Sequence, residues 1–185
     1  WRMRDKSVRV RARVRTRFLF DAKTANVIAT KKGRTDDEII VCAHHGRVLT
    51  DSEIIGIVDN GSGVVGVMKV AEGLMNRETE KTIRFISFAA EEFNMVGSRY
   101  YISMRDERDE LNQIKVVINL DDVYHSFEEF FIVAPNDFCR NLMRKILRRR
   151  EMKEKKFAKV RFGDSNATDD WPFREMGIPA MLLQQ

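Results

Sequence analysis

Short apolar runs rich in β-branched residues are the feature of this sequence that most restricts its fold. Each run is too short for a helix of ordinary length, so its composition predicts a buried central strand. The stretches between runs carry apolar residues at helical spacing, as in residues 64–74 and 97–104. Strands that alternate with helices predict an α/β fold with a largely parallel sheet. The four runs are residues 26–29, 39–43, 83–88 and 116–120.

The rest of the chain continues this alternation. Residues 130–133 and 180–183 predict two more strands, and residues 138–149 predict a helix with basic residues towards its C-terminus. Near the N-terminus, residues 8–18 alternate Val or Ala with Arg, which predicts an outer strand with one face in solvent. We therefore expect a three-layer α/β/α sandwich built on a mixed, mostly parallel central sheet.

The composition fits such a domain and argues against several other classes. The 185 residues are 43% hydrophobic and 33% charged, which argues against disorder and fits one domain. No apolar run approaches the ~18 residues that a membrane span requires. The net charge of +5 comes largely from Arg-dense patches near both ends of the chain. Because aromatic residues are not interleaved with the arginines of residues 8–18, nucleic acid is not an expected partner.

The cysteines and the N-terminal residue say little about the cellular compartment of the protein. Cys42 and Cys139 lie far apart without CxxC or Cys/His spacing, which argues against a disulfide framework and a cysteine-type zinc finger. The sequence starts at Trp1 rather than Met, so we expect a fragment or a processed chain, and it contains no targeting segment. The compartment and the oligomeric state stay open.

Side chains able to bind metal follow three of the predicted central strands. His44 and His45 come directly after residues 39–43, and pairs of carboxylates follow the next two runs. The carboxyl ends of parallel strands meet at one edge of a sheet, so we expect these side chains to lie close together. One such residue alone would more often be a helix cap or a structural histidine, but three sets at one edge indicate a site. The pairs are Glu91 with Glu92 and Asp121 with Asp122.

Two loops add further carboxylates. Asp59 stands in a Gly-flanked turn directly before the helix predicted for residues 64–74. Backbone N–H groups of such a turn can fix a carboxylate while its oxygens stay free, so Asp59 could bridge two cations. Nearer the C-terminus, Asp169 and Asp170 lie before a short predicted helix that has Pro172 at its start. Capping of that helix is the simpler interpretation of this pair.

Short motifs at these strand ends give the sequence a resemblance to a known family. These motifs are Ala-His at 43–44, Asp-Asn-Gly-Ser-Gly at 59–63, Phe-Ala-Ala-Glu-Glu at 88–92, Gly-Ser-Arg at 97–99, Ile-Asn-Leu-Asp at 118–121, and Pro-Phe at 172–173 with Gly-Ile-Pro-Ala at 177–180. In these motifs and their order, the sequence resembles the co-catalytic zinc aminopeptidases, the family of aminopeptidase Y and the bacterial leucyl aminopeptidases, over roughly residues 26–183. The resemblance implies a zinc-exopeptidase fold and removal of N-terminal residues from peptides with a free N-terminus.

The same resemblance implies the roles of individual residues. Glu91 would be the general base, which takes a proton from a metal-activated water and later gives it to the leaving amine. Two divalent ions are implied, with zinc expected and manganese or cobalt as alternatives. The implied ligands are His44 and Asp121 for one ion, Glu92 and Asp170 for the other, and Asp59 as the bridge.

Two positions depart from the family pattern. The family has Ser-Asp-His before its Pro-Phe motif, whereas this chain has Thr168, Asp169 and Asp170, so a His ligand has become a carboxylate. The extra negative charge lowers Lewis acidity and moves the metal preference towards harder ions. The family also has an Asp two residues after its His ligand, where this chain has Gly46. Losing such a partner typically lowers metal affinity or activity about 10–100-fold.

Other functions compete with the aminopeptidase. The two departures also fit a non-enzymatic interaction module of the same fold. A glutaminyl-cyclase-like acyltransferase, with one zinc held by Asp, Glu and His, fits less well because Asp170 stands where that site also needs a His. Nucleic-acid binding through the Arg-rich strand leaves the acidic cluster unexplained.

For domain organisation we expect residues 1–185 to form a single metallopeptidase catalytic domain. The family fold continues beyond the strand predicted for residues 180–183 into a further loop and a closing helix. Either an N-terminal part and this helix lie outside the sequence, or a partner covers the apolar face that the helix would cover.

Overall fold

The computed structural model describes residues 22–46, 56–123, 130–148, 158–161 and 167–184. The outer strand predicted for residues 8–18 lies outside the described residues. Among the described residues, no helix is both long enough and apolar enough to span a membrane.

A seven-stranded sheet forms the centre of the described structure. In chain order the strands are β1 (Val27–Lys31), β2 (Thr35–His44), β3 (Lys81–Phe88), β4 (Ile114–Leu120), β5 (Phe130–Val133), β6 (Ala158–Arg161) and β7 (Ala180–Gln184). Across the sheet they are ordered β1-β3-β2-β4-β7-β5-β6. The β1/β3 and β5/β7 pairs are antiparallel and the other neighbours are parallel, which confirms the predicted mixed, mostly parallel sheet.

Helices cover both faces of this sheet, as predicted. The four helices of the described residues are α1 (Gly63–Leu74), α2 (Val96–Asp106), α3 (Asp137–Leu147) and α4 (Asp170–Glu175). Alternate side chains of β2 point to opposite faces. Val41 therefore packs with Val67 of α1, while Ile40 packs with the residues of α2 and α4. The buried residues of α3 pack against β4, β5 and β7 on the α1 side of the sheet.

Three aromatic rings join α2 and α4 to the end of β3. The ring centroids of Phe88 and Tyr101 lie 5.9 Å apart, and Phe173 lies 6.2 Å from each of them. Phe88 and Phe173 are fully buried. Because such aromatic pairs bury a large apolar area, they hold the N-terminus of α4 next to the carboxyl ends of the central strands.

One predicted strand has the wrong environment. The run at residues 26–29 was expected to be a buried central strand, but β1 lies at the edge of the sheet, with Val27 64% and Ile28 44% exposed. A short apolar run predicts a strand, whereas its place in the sheet depends on which other strands bind it. β6 was not predicted at all, since residues 158–161 show neither a long apolar run nor clear turn residues beside them.

Candidate metal centre

The carboxyl ends of β2, β3 and β4 bring three of the predicted site residues together. β2 ends at His44, which is 1% exposed. β3 is followed by a short 3-10 turn, Glu91–Phe93, that begins at the buried Glu91. β4 is followed directly by Asp121, which is also buried. The strands are parallel neighbours in the sheet, so the three side chains meet at one edge, as predicted.

Interatomic distances define the centre of the cluster. His44 Nε2 lies 3.0 Å from Asp59 Oδ1, 3.4 Å from Asp121 Oδ1 and 3.9 Å from Glu91 Oε2. One nitrogen and three carboxylates therefore face one another in a space closed on most sides, since only Asp59 has a substantially exposed side chain, at 35%. Negative charges held this close repel one another, which favours binding of a cation between them.

A structured turn places Asp59 in this cluster. Residues Ile57–Ser62 form a kinked turn whose backbone leaves helical geometry at Asp59 and Asn60. The buried Asn60 side chain donates through Nδ2 to the backbone oxygen of Leu120 at 2.8 Å, and its Oδ1 accepts from the Gly63 N–H at 3.0 Å. Asn60 thus ties the turn and the start of α1 to the end of β4, which brings Asp59 next to Asp121.

A backbone carbonyl orients the imidazole of His44. His44 Nδ1 lies 2.9 Å from the backbone oxygen of Gly46. A carbonyl only accepts, so Nδ1 carries the hydrogen and Nε2 is the nitrogen directed at the carboxylates. A Cβ on Gly46 would lie 3.1 Å from the backbone nitrogen of Ala90, which leaves little room for a side chain. Gly46 therefore supplies through its backbone an orienting contact that the resemblance assigned to an Asp side chain.

The backbone around Glu91 and Glu92 is strained. Ala90, Asn94 and Met95 have φ values of 53°, 66° and 56°, in the left-handed region that side chains other than glycine rarely adopt. Such residues persist where surrounding packing holds them, and they cluster at functional sites. Here they form a tight turn that buries Glu91 while Glu92 is exposed.

The electrostatics of the cluster favour binding of a positive charge. Burial lowers the pKa of His44, but the hydrogen bond and charge of Asp121, with Glu91 and Asp169, raise it to about 9. Burial raises the pKa of Glu91 to about 8; the charge on His44 opposes the shift, while Asp169, Asp121 and Glu92 add to it. Carboxylates and histidine thus retain protons at neutral pH when no other cation compensates the negative charge.

Asp169 is a buried member of the site that the sequence did not single out as a ligand. It is fully buried, and its Oδ1 accepts a hydrogen bond from Ser98 Oγ at 2.6 Å. Burial raises its pKa to about 6 against the effects of the Ser98 hydrogen bond and the charge on His44. The sequence signal that could have pointed to Asp169 is the Gly-Ser-Arg motif at residues 97–99, because this motif carries the family resemblance and contains Ser98, the hydrogen-bond partner of Asp169.

Asp170 lies at the start of α4 and faces other partners. It is fully buried, Thr168 Oγ1 donates to its Oδ1, and its Oδ2 lies 3.0 Å from Arg174 Nε. Burial raises its pKa to about 7, and the Thr168 hydrogen bond works against this shift. Asp170 is therefore deeply buried, and its two carboxylate oxygens contact Thr168 of the preceding loop and Arg174 of the same helix.

The arrangement fits a divalent ion. Among the described residues, ligand atoms of His44, Asp59 and Asp121 all lie within 4.8 Å of one another, and neither Glu92 nor Asp170 joins this group. Two ligands that each lie about 2 Å from zinc can be no more than about 4 Å apart, so the distances of 3.0 Å and 3.4 Å suit a shared ion. The imidazole nitrogen and carboxylate oxygens also match the donor types that zinc accepts.

Comparison with known sequences extends over most of the chain. The sequence profile described as Peptidase family M28 matches residues 26–185. Leucine aminopeptidase 2 of Trichophyton rubrum is 38% identical over 104 residues, which are 56% of this chain and 20% of that protein. The chain thus spans about a fifth of the length of the curated relatives that it matches.

Comparison with solved structures gives the same architecture. A zinc aminopeptidase from Bacillus subtilis superposes with a TM-score of 0.72 at 27% identity, covering 86% of this chain and 39% of that one. A glutaminyl cyclase from an Acidobacteriales bacterium gives a TM-score of 0.72 at 16% identity, covering 86% of this chain and 58% of that one. At that identity the second likeness concerns the fold alone.

Proposed function

Because the chain belongs to peptidase family M28, we propose that the protein is a metal-dependent aminopeptidase that removes N-terminal residues from peptides. The observation that carries the proposal is the cluster of His44, Asp59 and Asp121, with Glu91 beside it, at the carboxyl ends of the parallel strands. Similarity to a leucine aminopeptidase and a zinc aminopeptidase supports it over the non-enzymatic module and the glutaminyl-cyclase alternative. In this proposal residues 1–185 belong to one catalytic domain.

The proposed ligands follow the residues implied by the family resemblance. A bound divalent ion, zinc first and manganese or cobalt as alternatives, would lower the pKa of a water and polarise the scissile carbonyl. In its full form the centre holds two ions. His44 and Asp121 would hold the first, Glu92 and Asp170 would hold the second, and Asp59 would be shared between them.

The chain's own residues then provide orientation and proton transfer. The Gly46 carbonyl holds the Nδ1–H of His44, so that Nε2 is the nitrogen directed into the centre and available to an ion. Glu91 is buried 3.9 Å from that nitrogen, and in its ionised form Oε2 can accept a proton from water and return it to the leaving amine. Burial, together with the charges of Asp169, Asp121 and Glu92, raises the Glu91 pKa to about 8, and a neighbouring cation lowers it towards the range in which a base works at neutral pH.

Matched substrates test the proposal. Purified protein with added zinc or manganese should cleave leucyl p-nitroanilide and a Leu-Gly dipeptide, and a chelator should abolish the activity. The same peptides with an acetylated N-terminus should resist cleavage, because an aminopeptidase requires the free amino group. Equal cleavage of free and acetylated peptides, or full activity in the presence of the chelator, would contradict the proposed function.

A further inference from the structure

One ion pair involves Asp170, a proposed ligand of the second ion. Asp170 and Arg174 stand one turn apart on α4, and Asp170 Oδ2 lies 3.0 Å from Arg174 Nε. The Asp170 side chain is fully buried and that of Arg174 is 9% exposed. A positive charge nearby favours the ionised form of a carboxylate this deeply buried, and in this structure the guanidinium lies beside it.

The surroundings of Arg174 hold it in this position. Its guanidinium carbon lies 4.9 Å from the centroid of the Trp171 ring, within the range of a cation–π contact. The Trp171 ring and the Asp170 carboxylate therefore contact the same guanidinium. Pairing and stacking together make Arg174 a preorganised cation rather than a mobile surface side chain.

The geometry of the pair leaves Asp170 able to bind another cation. Although the charged atoms are close, Asp170 Oδ2 is buried without a hydrogen bond among the described residues, because the Nε–H is not aligned with it. The attraction is therefore mainly electrostatic. A divalent ion could use this oxygen, but Arg174 would then stand a few ångströms from a second positive charge and would have to move away.

With the proposed function as its premise, we propose that Arg174 competes with the second metal ion for the carboxylate of Asp170. The first ion binds tightly at His44, Asp59 and Asp121, whose ligand atoms already lie together. The second ion binds weakly, because it must displace the guanidinium from Asp170. This centre is therefore filled in two separate steps, and the strength of the second step depends on residue 174.

Calorimetric zinc titration of matched variants, with metal content measured by plasma emission, tests this competition. Arg174→Met removes the charge, and we expect the affinity for the second ion to rise about tenfold or more, the size expected for losing one close repulsive charge. Arg174→Gln provides a second neutral variant if the Met variant does not fold. Arg174→Lys keeps the charge, so the second ion should still bind weakly.

Two further variants separate competition from other causes. Arg99→Met removes the exposed pair of Arg99 with Glu175 of α4, at 2.7 Å, and should leave both affinities as in the parent. Asp170→Asn combined with Arg174→Met removes ligand and competitor together, and the gain in second-ion affinity should disappear.

The outcomes distinguish this inference from the proposed function. If one ion binds but the second affinity is the same in Arg174→Met and the parent, the inference is wrong and the metal centre stands. An equal gain in Arg99→Met, or a gain that survives in the double variant, also overturns the inference. If no ion binds to the parent or to any variant, the proposed function fails, and the inference fails with it.

Discussion

At the scale of single residues, Glu91 differs from the carboxylates proposed as ligands. It is buried and lies 3.9 Å from His44 Nε2, farther than Asp59 or Asp121. We expect Glu91→Gln to lower kcat about 10²–10⁴-fold, since an amide keeps the shape but cannot accept a proton. Metal content and melting temperature should stay near those of the parent. Glu107→Gln, at an exposed position, is the control, and a Glu91→Gln variant with kcat within a factor of two of the parent would exclude Glu91 as the base.

Substitution of Asp59 should lower the metal content, which substitution of Glu91 should leave unchanged. Its oxygen lies 3.0 Å from His44 Nε2, so Asp59→Ala removes a proposed ligand from the centre. We expect metal content, measured by plasma emission after dialysis, to fall by at least one ion per chain, and activity to fall with it. Asp36→Ala, which removes an exposed carboxylate, should change neither. Unchanged metal content in Asp59→Ala would show that Asp59 neither binds nor bridges an ion.

At the scale of secondary-structure elements, the turn before α1 depends on one buried amide. Asn60 is 1% exposed and links Leu120 at the end of β4 to Gly63 at the start of α1. No apolar residue could make both contacts, and loss of the side chain leaves a buried backbone oxygen and an N–H without this partner. The position of Asp59 is therefore a property of the junction between two elements rather than of Asp59 itself.

Asn60→Ala tests this dependence. We expect the free energy of unfolding, measured by urea denaturation, to fall by about 1–3 kcal/mol, the usual effect of leaving buried polar groups unsatisfied. Metal affinity should fall as well, because Asp59 is no longer held beside Asp121. Asn112→Ala, at an exposed position, should leave stability and metal affinity unchanged, and a similar lack of effect in Asn60→Ala would contradict the role assigned to the junction.

At the scale of the whole molecule, the acidic centre couples folding to pH. The pKa values of Glu91, Asp169 and Asp170, about 8, 6 and 7, lie above the ordinary carboxylate range, and that of His44, about 9, lies above its ordinary value of 6.5. The metal-free folded state therefore binds more protons than the unfolded state through the neutral range. The free energy of unfolding must then decrease as pH rises.

Thermal unfolding should show this slope and its loss on metal binding. We expect the melting temperature of the chelator-treated protein to fall between about pH 5 and about pH 9, the window set by the raised pKa values. Saturating zinc should raise the melting temperature and flatten the slope, because the metal replaces the protons that compensated the carboxylates. A metal-free profile that is flat or rises with pH would contradict the assigned electrostatics.

The sequence by itself determined the elements and the chemistry available at their ends. β2, β3 and β4 were predicted because apolar, β-branched runs reflect local burial and backbone preference. His44, Glu91 and Asp121 could be grouped because parallel strands end at the same edge of a sheet. The family resemblance then indicated roles, including that of Asp59, whose neighbour Asp121 in the cluster lies about 60 residues away in the chain.

Only the tertiary structure decided which atoms meet. It placed β1 at the exposed edge of the sheet. It also directed the backbone carbonyl of Gly46 to His44, whereas the sequence indicated only that position 46 lacks the Asp of the family pattern. It also paired Asp170 with Arg174 and Thr168 and left it outside the group formed by His44, Asp59 and Asp121. The physical reason is range. Backbone preference and hydrophobic periodicity act over a few residues, whereas strand order, side-chain direction and the sharing of a buried charge depend on contacts between distant parts of the chain.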